Sequence, residues 1–321
     1  MNPSGESSSK SNYENLYKYN GVVENQETRR NKKLEELKKR RNDAVDELRN
    51  LTDIFGKGES MEVQTDTIPL KEKGRNKFKV KLMLSEWMVD IPIDLDESWY
   101  YKVCPKGVRN LVIAKAGVTK VYNRLNQLKG TFQTTLPGGG IETANHRITL
   151  LDCVYRNQDK TFYVLDILAW NSMSLINCSA EFRFYFLQSK FNEEEFRGGA
   201  DNKRFKAIPH QFATRDNISV SFSDQYYLED ETPLPVDGIL FYHKDSIYTP
   251  GLTPLVGWLK PYMLTEKLDV LINDLYLLTK PKSYTNLENY LKYKENKIKK
   301  NRNLKGSGDM EVEDEVDKME N

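Results

Sequence analysis

The chain has 321 residues, of which 38% are hydrophobic and 30% charged, and its formal net charge is +1. The hydrophobic share is low and the charged share is high for a packed globular protein, which indicates polar segments beside one core of about 200 residues. No apolar run approaches the roughly 20 residues that a membrane-spanning helix needs, and the Ser-rich start is not expected to be a secretory signal.

The first segments in chain order are polar and then strongly basic. Residues 1–26 are expected to be disordered or extended when free. Residues 27–55 place leucines and other apolar residues at helical spacing, with Thr28 as a candidate N-cap and Gly56 beyond the end, so they predict a helix. This helix carries eight basic residues near its start, namely Arg29, Arg30, Lys32, Lys33, Lys38, Lys39, Arg40 and Arg41.

A polar linker over residues 56–76 precedes the globular part of the chain, which we expect to span residues 77–280. The patterns that predict strands are Lys79–Leu84, Tyr100–Val103, Leu111–Ala114, Ile148–Tyr155, Thr161–Ala169, Phe182–Leu187 and Gly238–His243. Ser189–Glu195 and Leu264–Leu278 predict helices, and Leu136–Gly140 predicts a turn or a mobile loop. Strands and helices mix without βαβ regularity, which favours an α+β domain built on antiparallel sheets. Residues 281–321 are charged and low in complexity, and a disordered tail is expected there.

The cysteines and histidines give no sign of a metal site. Cys104, Cys153 and Cys178 lie in apolar stretches without a CxxC pair, and the three histidines are far apart in sequence. We therefore expect buried, reduced thiols, no metal and no cofactor.

Two long and unusual strings of residues contain tryptophans. The first is Leu82-Met-Leu-Ser-Glu-Trp-Met-Val-Asp-Ile-Pro92, followed by Val103-Cys-Pro-Lys-Gly-Val-Arg109. The second is Pro235-Val-Asp-Gly-Ile-Leu-Phe-Tyr-His-Lys244, followed by Thr253-Pro-Leu-Val-Gly-Trp-Leu-Lys-Pro-Tyr-Met263. Together they resemble the snurportin family, the import adaptors of spliceosomal ribonucleoproteins. The resemblance runs from about residue 27 to residue 263, and the tryptophan-bearing strings make it specific.

A more distant resemblance links the core to the nucleotidyltransferase domain of capping enzymes and DNA ligases. In that family a KxDG lysine attacks the α-phosphate and a DGE carboxylate holds the metal. Here Ala114 stands at the lysine position and Val154 at the glutamate position, while Lys115 is one residue away and so on the other face of a strand. The resemblance therefore implies a nucleotidyltransferase-like scaffold without catalytic residues.

The snurportin resemblance also implies a binding site for the 2,2,7-trimethylguanosine cap of small nuclear RNA. A guanine methylated at N7 is a delocalised cation, which stacks well on an indole face. By resemblance, the cap site comprises Leu84, Ser85, Trp87, Cys104, Arg109, Arg124 and Trp258. Trp258 would be the stacking platform, and the two arginines would meet the phosphates, with Lys106, Lys115 and Lys120 able to thicken the basic rim. Trp99 and Trp170 are expected in the core, whereas for Trp87 a position in the pocket and a position in the core are equally expected.

The basic helix has several interpretations on residue type alone, since such helices bind nucleic acid, anionic membranes or acidic protein grooves, or are simply solvated. The resemblance implies an importin-β-binding segment that folds as it docks, with Tyr13 to Tyr19 as an extended part before it. Residues 1–10 lack the spaced apolar residues of an export-receptor motif, so export by that route is in doubt.

The sequence thus predicts a shuttling import adaptor, present in cytoplasm and nucleus, with capped small nuclear RNA and importin-β as partners. Two alternatives stay open: a guanylyltransferase that has moved its nucleophile, and a cap-binding protein without an import role.

Overall fold

The computed structural model describes residues 25–54, 81–143, 147–200, 202–228, 232–294 and 296. Of the segment over residues 1–26 that is expected to be disordered or extended, residues 1–24 lie outside these ranges, whereas Gln26 begins the first helix. The predicted linker over 56–76 and residues 297–321 of the predicted tail also lie outside them. Helices are α1 Gln26–Ile54, α2 Leu95–Ser98, α3 Ala180–Glu193, α4 Arg215–Phe222, α5 Leu264–Leu268, α6 Asp274–Leu277 and α7, residues 287–294. Strands are β1 Met83–Trp87, β2 Trp99–Pro105, β3 Val108–Lys115, β4 Val118–Asn123, β5 Leu128–Phe132, β6 Ile148–Arg156, β7 Thr161–Trp170, β8 Met173–Ser174, β9 Phe196–Gly198, β10 Lys203–Ala207, β11 Gln211–Phe212, β12 Val236–His243 and β13 Gly251–Leu259.

Two sheets form the globular part. The first has the order β1-β13-β12-β2-β11, and the second has the order β5-β4-β3-β6-β7-β10-β9, with β8 paired to β7. Most pairs are antiparallel, and the exceptions among the described strands are β1 with β13 and β7 with β10. The α+β class with mainly antiparallel sheets is therefore confirmed.

The core has one layer between the sheets and one on each outer side. Leu111 of β3, Leu165 of β7 and Leu240 of β12 meet between the two sheets. The outer face of the second sheet buries Val112 of β3 and Phe162 of β7. Along β3 the buried side chains alternate between these layers, because successive residues of a strand point to opposite faces. This alternation decides which face of the sheet each functional side chain lies on.

Residues 180–193 form a helix, so the predicted strand Phe182–Leu187 is wrong and the predicted helix Ser189–Glu195 covers only its end. The Ser179 side chain caps the helix by accepting a hydrogen bond from the backbone N–H of Phe182 at 3.3 Å. Arg183 on the inner face makes a bidentate ion pair with Asp166 of β7, with nitrogen–oxygen distances of 2.9 Å. A buried guanidinium on one helical face needs that partner, which anchors α3 to the sheet.

The C-terminal part also differs from its prediction. Leu264–Leu278 is divided into α5 and α6, because Asp269 adopts a left-handed conformation with φ of 54° and ends α5. The expected disordered tail begins too early at residue 281, since Leu287 and Leu291 of α7 are buried in the core with Tyr284. The packed core therefore extends into α7.

Helix α1 confirms the helix expected over residues 27–55 and packs on the first sheet at its start. The side chain of Gln26 donates to the backbone oxygen of Trp87 at 3.0 Å and accepts from the backbone N–H of Asp90 at 3.1 Å. Leu37 is 4% exposed, so the buried face of α1 extends from the start of the helix at least to this residue. No helix among the described residues is both long and apolar enough to cross a membrane.

Candidate functional site

A cleft opens where the end of β1 and β13 meets the start of β3 and the end of β6. It encloses about 850 Å³ of empty space, including its open mouth. Its walls are Leu84, Ser85, Trp87, Cys104, Gly107, Arg109, Arg124, Val154, Asp237, Leu240 and Trp258. All seven residues that sequence reasoning assigned to a cap site are in this set, although they are spread over 175 positions between residues 84 and 258.

Two tryptophans lie side by side in the cleft. Trp87 on β1 and Trp258 on β13 are register partners in a parallel pair, with an irregularity between Ser85 and Glu86. The backbone N–H of Met88 donates to the carbonyl oxygen of Trp258 at 3.1 Å, which fixes the two chains where the indoles leave them. Trp87 is 6% exposed and Trp258 is half-buried. The interpretations of Trp87 as core and as pocket wall are thus both correct, and the more open ring is Trp258.

Gly238 on β12 makes room for the indole of Trp258. A Cβ atom at Gly238 would lie 2.2 Å from Cζ2 and 2.4 Å from Cη2 of that ring. Leu240, two residues further along β12, is the register partner of Trp258 and lines the same cleft. The six-membered ring of the indole therefore lies directly against the backbone at Gly238, and its position depends on that glycine.

Arg109 is held rigidly at the cleft wall. Its Nε and Nη2 donate to the two carboxylate oxygens of Asp152 at 3.0 and 2.8 Å, and the hydroxyl of Tyr248 donates to the same carboxylate at 2.8 Å. Burial acts to lower the pKa of Arg109, but the charge and hydrogen bonds of Asp152 raise it well above its ordinary value. The guanidinium is permanently charged and oriented, but Asp152 already occupies the face formed by Nε and Nη2, so an anionic ligand in the cleft would meet Nη1.

Arg124 supplies a second cation at the rim. It follows the last residue of β4, Asn123, whose register partner on β3 is Asn110, beside Arg109. Its side chain is half-buried and lines the cleft. Of the three lysines expected to thicken the basic rim, Lys106, Lys115 and Lys120, none is among the described residues that line the cleft.

Sequence reasoning did not assign Asp237, which contributes a carboxylate to the cleft. It is 7% exposed and accepts a hydrogen bond from Nζ of Lys260 at 2.8 Å. Lys260 Nζ also lies 5.5 Å from the ring centroid of Trp258. A carboxylate beside an aromatic platform can accept the N1–H of a guanine and favours a cationic ring electrostatically. The sequence signal was its place between a buried valine and Gly238 in one of the tryptophan-bearing strings.

The thiol of Cys104 lies in the same wall but is chemically quiet. Burial, reinforced by the charge of Asp237, raises the pKa of this thiol to about 12. It is therefore protonated near neutral pH and acts as a small apolar surface rather than as a nucleophile. All three cysteines are free, Cys104 and Cys153 are buried, and Cys178 is half-buried, so the expectation of buried thiols is accurate for two of the three.

The residues considered for nucleotidyl transfer are placed away from the cleft or are inert within it. Ala114 is fully buried on the outer side of the second sheet, and Val154 is an apolar part of the cleft wall. Lys115 is on the opposite face of β3 from Ala114, as expected, and shares that face with Arg109. It lies at the opposite end of the strand, about 20 Å along the chain, which is why it does not reach the cleft. The described residues contain no cluster of metal-ligating side chains.

The eight basic residues of α1 divide into two groups. Arg29 and Arg30 are engaged with the globular part: Arg29 makes a bidentate ion pair with Glu86, and Nη2 of Arg30 donates to the backbone oxygen of Asp90 at 2.8 Å. The guanidinium of Arg30 also lies 5.3 Å from the ring centroid of Trp99. The remaining six, Lys32, Lys33, Lys38, Lys39, Arg40 and Arg41, are exposed or half-buried.

Comparison with known protein families gives two matches. The family model described as the Snurportin1 m3G cap-binding domain matches residues 81–261, which include every wall of the cleft. The model described as Snurportin1 matches residues 15–50, which include the first 25 residues of α1.

Solved structures with similarity to the chain are DNA ligases. The ligase domain of LigD from M. tuberculosis is 13% identical, over 56% of this chain and 58% of that one, with a TM-score of 0.36. A mycobacterial DNA ligase D complexed with ATP and MES is 14% identical, over 56% and 59% of the two chains, with a TM-score of 0.37. The chain thus spans less than two thirds of the length of these two structures.

Proposed function

Because the chain belongs to the snurportin family of cap-binding import adaptors, we propose that it binds the 2,2,7-trimethylguanosine cap of spliceosomal small nuclear RNAs and links their ribonucleoproteins to importin-β. The observation that carries this proposal is the convergence of seven expected residues on one cleft, with two tryptophans in register at its centre. On this proposal the protein shuttles between cytoplasm and nucleus.

In this role each part of the cleft meets one part of the cap. The methylated base stacks on Trp258, since a cationic ring gains both stacking and cation–π attraction on an indole. Leu84 and Trp87 provide an apolar wall for the methyl groups, beside Ser85 and Cys104. Arg109 and Arg124 are on the opposite side of the cleft, where the triphosphate bridge needs positive charge.

We also propose that the cleft binds without catalysis. No lysine is among the described residues that line it, and the amine of Lys260 beside Trp258 is engaged in an ion pair with Asp237. The neutral thiol of Cys104 is a poor nucleophile, and Val154 provides no oxygen for a metal. What the site offers is a stacking surface and fixed charges, which are sufficient for binding.

The experiment that tests the cap site is a titration with trimethylated and monomethylated cap dinucleotides, followed by tryptophan fluorescence. We expect quenching that favours the trimethylated ligand and an affinity loss of about 5- to 150-fold in Trp258→Ala, because stacking on an aromatic is worth about 1–3 kcal/mol per base. The control is Trp170→Phe, which removes an indole from the far side of the second sheet. Equal affinity of Trp258→Ala and the unaltered protein would refute the assignment.

The import role has its own test, designed around the two groups of basic residues. Charge reversal at Lys38, Lys39 and Arg40 changes exposed side chains and leaves the contacts of Arg29 and Arg30 in place. We expect this variant to lose importin-β binding and nuclear import while its affinity for the cap dinucleotide is unchanged. Import at the normal rate would leave a cap-binding protein without this import role.

A further inference from the structure

A second groove lies on the reverse side of the sheet that carries the cap cleft. On β3, Arg109 faces the cleft while Val108 and Asn110 face this groove, and on β6 Val154 faces the cleft while Tyr155 faces the groove. The two sites are therefore back to back at the same end of the same two strands, because side chains alternate along a strand. The groove encloses about 1250 Å³ including its open mouth, which makes it larger than the cap cleft.

The floor of the groove is aromatic. Phe162 is 2% exposed, and its ring centroid lies 4.5 Å from that of Tyr155 and 6.1 Å from that of Phe132. Tyr155 and Phe132 are only half-buried, so both rings keep accessible surface inside the groove. We call this site the aromatic groove; its full lining is Val108, Asn110, Val121, Lys129, Gly130, Thr131, Phe132, Tyr155, Phe162, Gly199, Ala200 and Lys203.

The charges at the aromatic groove have one sign. Lys129 is exposed on β5, and Lys203 at the start of β10 is half-buried with Nζ 5.2 Å from the ring centroid of Phe132. No carboxylate is among the described residues that line the groove. Aromatic rings interleaved with lysines are what single-stranded nucleic acid requires, since bases stack on the rings and phosphates meet the cations.

The β4–β5 hairpin joins the two sites. Arg124, just after β4, lines the cap cleft, and Lys129, on β5, lines the aromatic groove. A strand that leaves the cap cleft past Arg124 reaches Lys129 by crossing this hairpin, and positive charge is present on both sides of the crossing.

We propose that the aromatic groove binds unpaired nucleotides of the RNA that follows the cap. The inference rests on the proposed cap-binding function and adds a second contact to it, so that the protein holds the cap with one face of the sheet and the adjoining RNA with the other. Stacking and phosphate contacts of this kind are tolerant of sequence, so the groove selects a single strand rather than a base.

The test separates the groove from the cleft by the length of the ligand. Affinity is measured for the cap dinucleotide, for a capped and unstructured RNA of about 10 nucleotides, a length typical of such sites, and for the same RNA uncapped. The variant is Lys129→Gln with Lys203→Gln, which removes both charges and keeps the aliphatic stems. The matched control is Lys280→Gln with Lys282→Gln, since Lys280 also lies over an aromatic ring, 5.4 Å from the centroid of Tyr284, but away from the groove.

We expect the unaltered protein and the control to bind the capped RNA about tenfold more tightly than the dinucleotide. In the Lys129/Lys203 variant this gain should fall below about threefold, with dinucleotide affinity unchanged. The slope of log affinity against log salt should be shallower by about 1.4, as expected for two lost phosphate contacts at ~0.7 each.

Two results would overturn the inference: a capped RNA that binds no more tightly than the dinucleotide, or a gain that survives in the variant. Failure of the dinucleotide to bind would instead refute the cap site. In that case the uncapped RNA still tests the aromatic groove, because its binding should be lost in the Lys129/Lys203 variant and kept in the Lys280/Lys282 control.

Discussion

Gly238 shows how a single residue determines the geometry of the cleft. Since a Cβ atom would meet the indole of Trp258 at 2.2 Å, Gly238→Ala must displace that ring or the strand beneath it. We expect the variant to lose at least about tenfold in affinity for the cap dinucleotide, corresponding to about 1.4 kcal/mol, because stacking depends on the position of the ring. Fluorescence titration measures the loss directly.

A matched glycine variant controls for an unspecific effect of the added methyl group. At Gly130 a Cβ atom would have Cε1 of Phe132 as its nearest neighbour, at 3.7 Å, which is ordinary van der Waals contact. Gly130→Ala should therefore keep its affinity for the dinucleotide. Equal losses in the two variants would contradict the assigned role of Gly238.

His210 links the fold to pH. Burial, with the charge of Lys102 nearby, lowers the pKa of this histidine to about 4 from its ordinary 6.5, and its ring contacts those of Tyr100 and Phe184. The unfolded chain then binds the proton more readily than the native protein does. The contribution of His210 to stability is accordingly full above pH 6.5 and is lost as the pH falls from there towards 4.

We expect the unfolding free energy to fall by about 2 kcal/mol across this window, after allowance for the partial exposure of the ring. Urea titrations between pH 7 and pH 4, carried out on the unaltered protein and on His210→Gln, measure the difference. The variant should show a flatter dependence on pH over this range, and identical profiles would show that other groups control the acid transition.

At the scale of elements, the strands that are long, continuous apolar runs, such as β7 and β12, were predictable and the aromatic helix was not. Phe182–Leu187 is rich in residues that favour strands, and only the cap at Ser179 and the partner of Arg183 on a distant strand make it helical. The strands β4, β5 and β13 were missed, since glycine and polar residues interrupt their patterns. The strands β8, β9, β10 and β11 were missed because each has only two to five residues. Tertiary partners of this kind are absent from local sequence.

Helix α7 extends the candidate site beyond the part that matches the cap-binding family model. Tyr290 packs edge-on against Trp87, with ring centroids 5.6 Å apart, and Nζ of Lys294 lies 5.3 Å from the centroid of the same indole. Because Trp87 lines the cleft, its support from α7 bears on the position of that wall.

We therefore expect Tyr290→Ala to reduce affinity for the cap dinucleotide by about three- to tenfold, since an aromatic pair contributes about 0.5–1.5 kcal/mol beyond area burial. Tyr290→Phe keeps the ring and should restore binding. A Tyr293→Ala variant, at an exposed position on the same helix, serves as the control. Unchanged affinity in Tyr290→Ala would show that Trp87 holds its place without α7.

The start of α1 is held by a buried carboxylate. Glu86 is 4% exposed and lies between Ser85 and Trp87 on β1, with its own side chain paired to Arg29 of the helix. We expect Glu86→Gln to loosen the docked helix, because a hydrogen bond between charged groups contributes about 1.5–3 kcal/mol. Trypsin cleavage after Lys38, Lys39 and Arg40 should become about tenfold faster.

The control for this prediction is Asp245→Asn, which removes the ion pair with Arg41, a contact between side chains that are 53% and 33% exposed. Surface pairs of this kind contribute little, so cleavage should stay near its normal rate. If both variants are cleaved at the normal rate, Glu86 is not what holds the helix.

For the whole molecule, the resemblance to a family identified the residues of the cleft, and the physical patterns alone did not. Nothing local in the sequence says that Leu84 and Trp258 share a wall, since β13 pairs with β1 only after the whole second sheet has been completed. Asp237, Gly238 and Tyr290 went unassigned because their importance lies in what they touch.

The molecule as a whole should bind nucleotides without forming a covalent adduct. The most deeply buried lysine of the core, Lys102, donates to the backbone oxygen of Leu165 at 2.7 Å, and burial lowers its pKa to about 7. An amine with that pKa would be nucleophilic if it were accessible, but it is enclosed between the sheets. Incubation with labelled GTP and magnesium should give no labelled protein after denaturation, and a stable lysine–GMP adduct would contradict the proposed role.

The docking of α1 has a thermodynamic consequence for both ends of the protein. Glu86, which holds Arg29, is flanked in sequence by two walls of the cap cleft, Ser85 and Trp87. If a ligand in the cleft binds the docked and undocked forms with different affinities, reciprocity requires that docking and ligand binding alter each other by the same factor. Calorimetric titration of the ligand into the protein with and without residues 1–55 would measure that factor. Its direction says whether ligand binding weakens or strengthens the docking of α1.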